Sequence, residues 1–216
     1  MTNLQIVYDI NNDYELCLDE VGRGCLFGDV YVACVVLPKD IKFDKTNIKD
    51  SKKFTSRKKL RDVANYIKDN ALYWHIASIN ANIIDDINIL QSVMLGMHKC
   101  IDEILGKIDN YKKIEIIVDG NYFNKYKKIN HVCIEKGDSK YVGIAAASIL
   151  AKNARDDYIS DLCKKYECLN EYYNLEKNVG YATKDHLNGI KEHGITQWHR
   201  RTFGICKNYD KIKNIL

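Results

Sequence analysis

The sequence predicts an α/β protein, a mixed sheet covered by helices, and three observations carry that prediction. Runs rich in β-branched and apolar residues cluster early in the chain, helix-period apolar patterns fill the gaps between them, and no Gly/Ser-rich linker or internal repeat divides the 216 residues. Only one proline, Pro38, occurs. The length suits one compact domain with a real core, and an apolar share of 46% is ordinary for it.

Taken in order, Tyr14 to Leu18 and Val30 to Leu37 read as strands. Ser56 opens a helical segment with Leu60, Val63, Ala64 and Ile67 on one face. Tyr73 to Ile79 returns to strand. Ile83, Ile87, Leu90, Met94, Met97, Ile101 and Ile104 then recur at steps of four and three, which predicts one long amphipathic helix whose methionines pack in the core. Lys113 to Val118 reads as a buried strand and His131 to Glu135 as a shorter one. Tyr141 to about Tyr166 is helical again, as is Thr183 to Glu192.

The formal charge of +4 permits a polyanionic partner without demanding one. Local basic runs at Lys49 to Lys59, Lys125 to Lys128 and Lys207 to Lys213 read equally as solvated faces or as partner surfaces. The longest apolar run, Val30 to Leu37, is too short to span a bilayer, and Met1 to Leu4 lacks the sections of a signal peptide. A soluble cytoplasmic protein is expected. The eight cysteines form no Cys-x-x-Cys pair, and buried free thiols account for them. Cys163, Cys168, His193 and His199 form a loose zinc-like pattern with too long a gap between its halves.

The chemistry is expected where strands end in acids: Asp19-Glu20 after the first strand, Asp119 after the Lys113 strand, and Gly137-Asp138 after the short one. A single acid there is often a turn former or helix cap. Three such sites at the ends of strands sharing a sheet can converge on one crevice. Packed carboxylates repel and raise one another's pKa, and oxygen-only ligands favour hard ions such as Mg²⁺ or Mn²⁺. Such ions support phosphodiester hydrolysis without a nucleophilic side chain. No phosphate-cradling Gly-x-x-x-x-Gly-Lys-[Ser/Thr] loop is present. Gly22-Arg23-Gly24, directly after the acids, lets backbone approach a ligand closely, although alone the triplet is a weak motif.

The blocks DEVGRG (Asp19 to Gly24), DSKK (Asp50 to Lys53), VDGN (Val118 to Asn121), KGDSK (Lys136 to Lys140), IAAASILAKNARD (Ile144 to Asp156), GYATKDHL (Gly180 to Leu187) and HRRTF (His199 to Phe203) together resemble ribonuclease HII. They stand in that family's order along most of the chain. The resemblance implies a ribonuclease H-like fold in one domain over residues 1–216, with a core to about residue 165 and a C-terminal helical extension from about 166. It implies that Asp19, Glu20, Asp119 and Asp138 bind metal and catalyse. Gly22, Arg23 and Gly24 match the loop that senses the ribose 2′-hydroxyl. Tyr181 matches the tyrosine that packs on the next deoxyribose. The family cuts RNA–DNA hybrids and duplex DNA containing ribonucleotides, 5′ of the ribonucleotide, leaving 3′-hydroxyl and 5′-phosphate ends.

Lys52, Lys53, Lys152 and Arg155 read as phosphate contacts or as parts of solvated faces, and Ala145 to Ala147 as a surface that lets a helix lie close to the sheet. His199-Arg200-Arg201 binds phosphate or caps the extension on the same evidence. Family members often carry proline where this chain has Cys25, Asp29 and Ala182, which predicts a looser loop after Gly24 and a looser turn at Tyr181. A monomer is expected, and Tyr209 to Leu216 shows no sliding-clamp motif. The rivals are ribonuclease HIII, a junction resolvase and a silent hybrid-binding module. The HIII type is expected to carry a further N-terminal domain, whereas eighteen residues precede Asp19; a silent binder would gain from losing carboxylates that repel phosphate.

Overall fold

Tyr14–Val21 forms the first strand, β1, and the sheet is built outward from it. It pairs antiparallel with β2 (Val30–Val36) and parallel with β4 (Ile114–Asp119). β4 pairs parallel with β5 (Asn130–Ile134), and β3 (Tyr73–Ile79) completes the order β3-β2-β1-β4-β5. In β1 the residues from Glu15 to Asp19 are all buried, because helices cover both faces, so the strand shows an unbroken run where a half-exposed strand would alternate. The computed structural model describes residues 4–39, 43–110, 112–209 and 212–213. Met1 to Asn3, and Asp210 and Lys211 of the last basic run, lie outside them.

The chain divides into two units. The first comprises Met1–Val21, Tyr31–Ala77 and Val93–Asn153. Its core joins Leu60, Ala64 and Ile67 of α1 (Arg57–Asn70) to Ala33 and Val35 of β2 and to Ala145, Ala146 and Ala147 of α3 (Val142–Lys165). The three alanines are fully buried, as a closely approaching helix requires. Ser56 caps α1 as the sequence predicts, its hydroxyl accepting the Lys59 amide at 3.4 Å. On the opposite face, the Cys100 thiol from α2 (Ala81–Leu105) reaches the Val32 carbonyl at 3.6 Å.

α2 is not the single helix its periodicity suggests. Asn88, with φ 66° and ψ 166°, breaks it. Asn80 caps the first piece through the Ile83 amide (3.0 Å), and Asn88 caps the second through the amides of Leu90 (3.0 Å) and Gln91 (3.1 Å). Ala81 and Ile84 are buried in the first piece, while Ile87 is exposed.

The second unit comprises Gly22–Val30, Ser78–Ser92 and Ala154–Leu216. Leu26 and Phe27 meet Ile159, Leu169, Tyr173, Leu175 and Ile190 in its core. Here lie α4 (Cys168–Tyr173), α5 (Leu175–Asn178), α6 (Lys184–His193) and the two-residue strands β6 (Ile195–Thr196) and β7 (Ile212–Lys213). Thr183 caps α6, its hydroxyl accepting the His186 amide at 3.4 Å.

Candidate functional site

In the first unit, β1 continues three residues past its expected end, so Asp19 and Glu20 are strand residues rather than followers of one. The pairing Leu18↔Val118 places Asp19 and Asp119 as the next positions on neighbouring parallel strands, facing the same side of the sheet. Asp19 is 5% exposed. Burial pushes its carboxyl well above the usual range, and the charges of Glu20 and Asp119 push the same way. The Ser148 hydroxyl and the Glu20 amide (2.7 Å) donate to it in return. The Ser148 hydroxyl also lies 2.9 Å from that of Ser51.

Asp138 comes next to Asp119 through a short 3₁₀ turn, Gly137–Ser139. The Gly137 amide donates to the Asp119 carboxylate at 2.6 Å. A Cβ at residue 137 would have to displace the tip of the Ile144 side chain. Burial raises the Asp138 carboxyl, with Asp119 and Asp50 adding to the rise. The structure thus groups Asp19, Asp119 and Asp138. The charge of Glu20 acts on Asp19 as well, and among the described residues no three His, Cys, Asp or Glu side chains close round one point.

The second unit holds Gly22, Arg23, Gly24 and Tyr181. Gly22 sits at φ +93°, and the space beside the Gly24 Cα is open. Arg23 is exposed at the loop tip. Two buried arginines hold this loop. Arg200, fully buried, donates to the carbonyls of Arg23 (3.0 Å) and Gly28 (2.9 Å). Arg155, 1% exposed, donates to the carbonyls of Phe27 (2.9 Å), Asp29 (3.1 Å) and Val179 (2.7 Å). The phosphate contact expected of Arg155 is therefore corrected, since its guanidinium is buried and engaged by backbone. At two of the positions where the family often has proline, the Cys25 thiol lies 3.8 Å from the Val179 carbonyl and Asp29 accepts the Tyr158 hydroxyl at 3.2 Å.

Tyr181 is 44% exposed while its backbone is tightly held. The Thr196 amide donates to His199 Nδ1 (3.0 Å), so the His199 proton sits on Nε2 and is donated to His186 Nε2 (3.1 Å). His186 Nδ1–H then donates to the Tyr181 carbonyl at 2.9 Å. Both imidazoles are neutral in this chain of bonds. Burial lowers the pKa of each, which favours that state.

The family model of ribonuclease HII matches residues 16–206. The ribonuclease HII of Bacteroides thetaiotaomicron is 44% identical over 199 residues, spanning 91% of this chain and 92% of that protein. The chain belongs to the ribonuclease HII family. It is accordingly a ribonuclease H, a hydrolase acting on RNA in RNA–DNA hybrids. The fold agrees with two solved structures. The RNase HII of a PCNA:RNase HII complex from Archaeoglobus fulgidus superposes with TM-score 0.67 at 23% identity, over 88% of this chain and 95% of that one. Bst-RNase HIII in complex with Mn²⁺ gives 0.65 at 16% identity, over 83% of this chain and 70% of that one.

Several ribonuclease HII blocks acquire physical roles that their residue types alone do not show. Asp50 caps the 3₁₀ turn Ser51–Lys53 through the Lys52 amide (2.9 Å), which leaves Lys52 and Lys53 exposed. Lys152 is half-buried on α3. Sequence reasoning missed Ser51 and Ser148, although each stands inside a quoted block. His193 stacks on Tyr172 with ring centroids 4.0 Å apart, and His199 is engaged by His186 and Thr196, so neither is turned to the zinc-like pattern. No helix among the described residues is long and apolar enough to cross a membrane. The segment read for a clamp motif, residues 209–216, lies mostly outside the described residues, so the expected lack of a clamp partner has no structural support.

Proposed function

We propose that this ribonuclease H, besides cutting RNA–DNA hybrids, incises duplex DNA 5′ of a single embedded ribonucleotide, leaving 3′-hydroxyl and 5′-phosphate ends. One observation supports this most: Asp19 and Asp119 stand side by side on parallel strands, and the Gly22–Gly24 loop begins two residues after Glu20. Asp19, Glu20, Asp119 and Asp138 are the proposed holders of Mg²⁺ or Mn²⁺. The donor set fits such an ion by its chemistry, being oxygen-only and mutually repelling, with burial already raising Asp19 and Asp138. When bound, the metal neutralises charge on the phosphodiester and activates water.

The protein's own groups orient the rest. Ser148 and the Glu20 amide hold the Asp19 carboxylate, and the Gly137 amide holds that of Asp119. The open backbone at Gly24 is where a ribose 2′-hydroxyl is sensed, and a hydrogen-bonding site discriminates strongly against a sugar lacking it. The exposed Tyr181 ring packs on the following deoxyribose, while Lys52 and Lys53 contact phosphates and position the duplex without reading bases.

The test is cleavage of a labelled DNA duplex carrying one ribonucleotide, beside a continuous RNA–DNA hybrid, with Mg²⁺ and Mn²⁺ compared at one salt concentration. The unmutated enzyme cuts both. Tyr181→Ala weakens cleavage at the lone ribonucleotide more than in the hybrid. An enzyme that leaves the lone ribonucleotide uncut overturns the proposal.

A further inference from the structure

The Arg155 side chain bonds both to the segment after Gly24 and to the turn before Tyr181. Nη2 and Nε reach the carbonyls of Phe27 and Asp29, and Nη1 reaches that of Val179. Two glycines outline the same guanidinium. A Cβ on Gly22 would collide with Arg155 Nε, and one on Gly180 would fall 2.7 Å from the Phe27 carbonyl and 3.2 Å from Arg155 Nη2. Both glycines also sit at positive φ, +93° and +86°. The seam continues in the backbone, where the Leu26 amide donates to the Gly180 carbonyl at 2.8 Å.

We infer that Arg155 is a specificity-determining positioning residue that sets the spacing between the Gly22–Gly24 loop and Tyr181. The inference rests on the sugar-reading roles proposed above for those two elements. A lone ribonucleotide demands both readings at once, a hydroxyl on one sugar and none on the next, so it depends on the distance between the readers. A continuous hybrid offers a hydroxyl at every sugar and depends on that distance far less. A planar guanidinium spans three carbonyls in fixed directions, whereas a lysine ammonium is a compact point donor and cannot.

The experiment is Arg155→Lys, Tyr181→Ala and the double variant, assayed on both substrates across a salt series, with amide hydrogen exchange over residues 22–30 and 179–181. Arg155→Lys is expected to lower cleavage at the lone ribonucleotide about tenfold more than in the hybrid, since small misplacements near a reacting centre cost up to about a hundredfold. In the double variant the two losses do not add, because Arg155 acts through Tyr181. The salt dependence keeps its slope, whereas loss of a phosphate contact would reduce it by about one. Exchange quickens in both segments together.

Equal losses on both substrates, additive losses, or a reduced salt slope would each overturn the inference. Exchange that quickens in one segment alone does so as well, and that readout does not depend on the sugar-reading roles. Failure of the unmutated enzyme at the lone ribonucleotide strikes instead at those roles. If Arg155→Lys does not fold, Gly180→Ala wedges the same seam with Arg155 in place and is expected to give the same substrate pattern. A Gly180→Ala enzyme with unmutated substrate preference then counts against the inference.

Discussion

Acidification should destabilise the fold through the buried histidine pair of the second unit. His186 and His199 are 0% and 2% exposed, and their bonds to Tyr181 and Thr196 require both rings neutral. Burial depresses both folded pKa values below the unfolded value of about 6.5. Between those limits the unfolded chain binds more protons than the folded one. The pair therefore stabilises the fold above pH 6.5 and loses that contribution as pH falls toward the folded pKa values. At pH 5.5 an unfolded histidine is protonated about ten to one. The loss from pH 7.5 to 5.5 is at most about 1.4 kcal/mol for each ring, the limit in which the folded ring takes up no proton. Urea unfolding at the two pH values measures it, with His199→Phe as comparison. Phenylalanine suits the site because the His199 ring already packs edge-on against Phe27 and Tyr173, each 5.0 Å away. Carboxylates titrate alike in both proteins and cancel. The variant's loss on acidification should be smaller by about one ring's contribution; an unchanged loss would refute the neutral pair.

Asp19→Asn or Asp119→Asn should abolish cleavage without lowering the urea midpoint, since each removes a charge that its neighbours oppose. Near-normal turnover in either variant would undo the site assignment. Asp29→Asn should change the rate by less than about tenfold, or about 1.4 kcal/mol of barrier, because that carboxylate is engaged by the Tyr158 hydroxyl. Gly143→Ala should destabilise, as its Cβ would stand 3.0 Å from the Cys17 Cβ and collide with the thiol. Overpacking costs about 1–3 kcal/mol, and the better helix propensity of alanine returns about 1. Cys17→Ala should relieve part of that loss in a double-mutant cycle of unfolding midpoints.

The strand at Tyr73–Ile79 and the helix opening at Ser56 were legible because each depends on local sequence chemistry. The break in α2 was not, because apolar spacing runs on across Asn88 while the backbone does not. α4 and α5 are too short to show a period, and they are held by packing of Leu169, Tyr173 and Leu175. The acids were found as strand neighbours, but β1 runs on through them because Ala33, Val32 and Tyr31 pair with Asp19, Glu20 and Val21. Arg155 misled for a physical reason. A charged residue in a helix reads as surface, and nothing in its own vicinity announces carbonyl partners 126 and 128 residues away.

Those long separations carry a consequence for how the enzyme is made. The bond from Arg200 to the Arg23 carbonyl joins residues 177 apart, and Arg155 spans 128 to reach Phe27. Synthesis proceeds from the N-terminus at about 5–20 residues per second, so the Gly22–Gly24 loop emerges from the ribosome long before the arginine that holds its tip. The acidic pair is translated early as well, but the loop that follows it in the chain is locked only after residue 200 has been made. A nascent or prematurely terminated product ending before residue 200 thus carries the carboxylates without that lock. The Arg200 bond also closes a loop of 177 residues, and closure of non-local contacts is the slow part of folding. The lock on the loop tip is thus a late event relative to the making of the carboxylates.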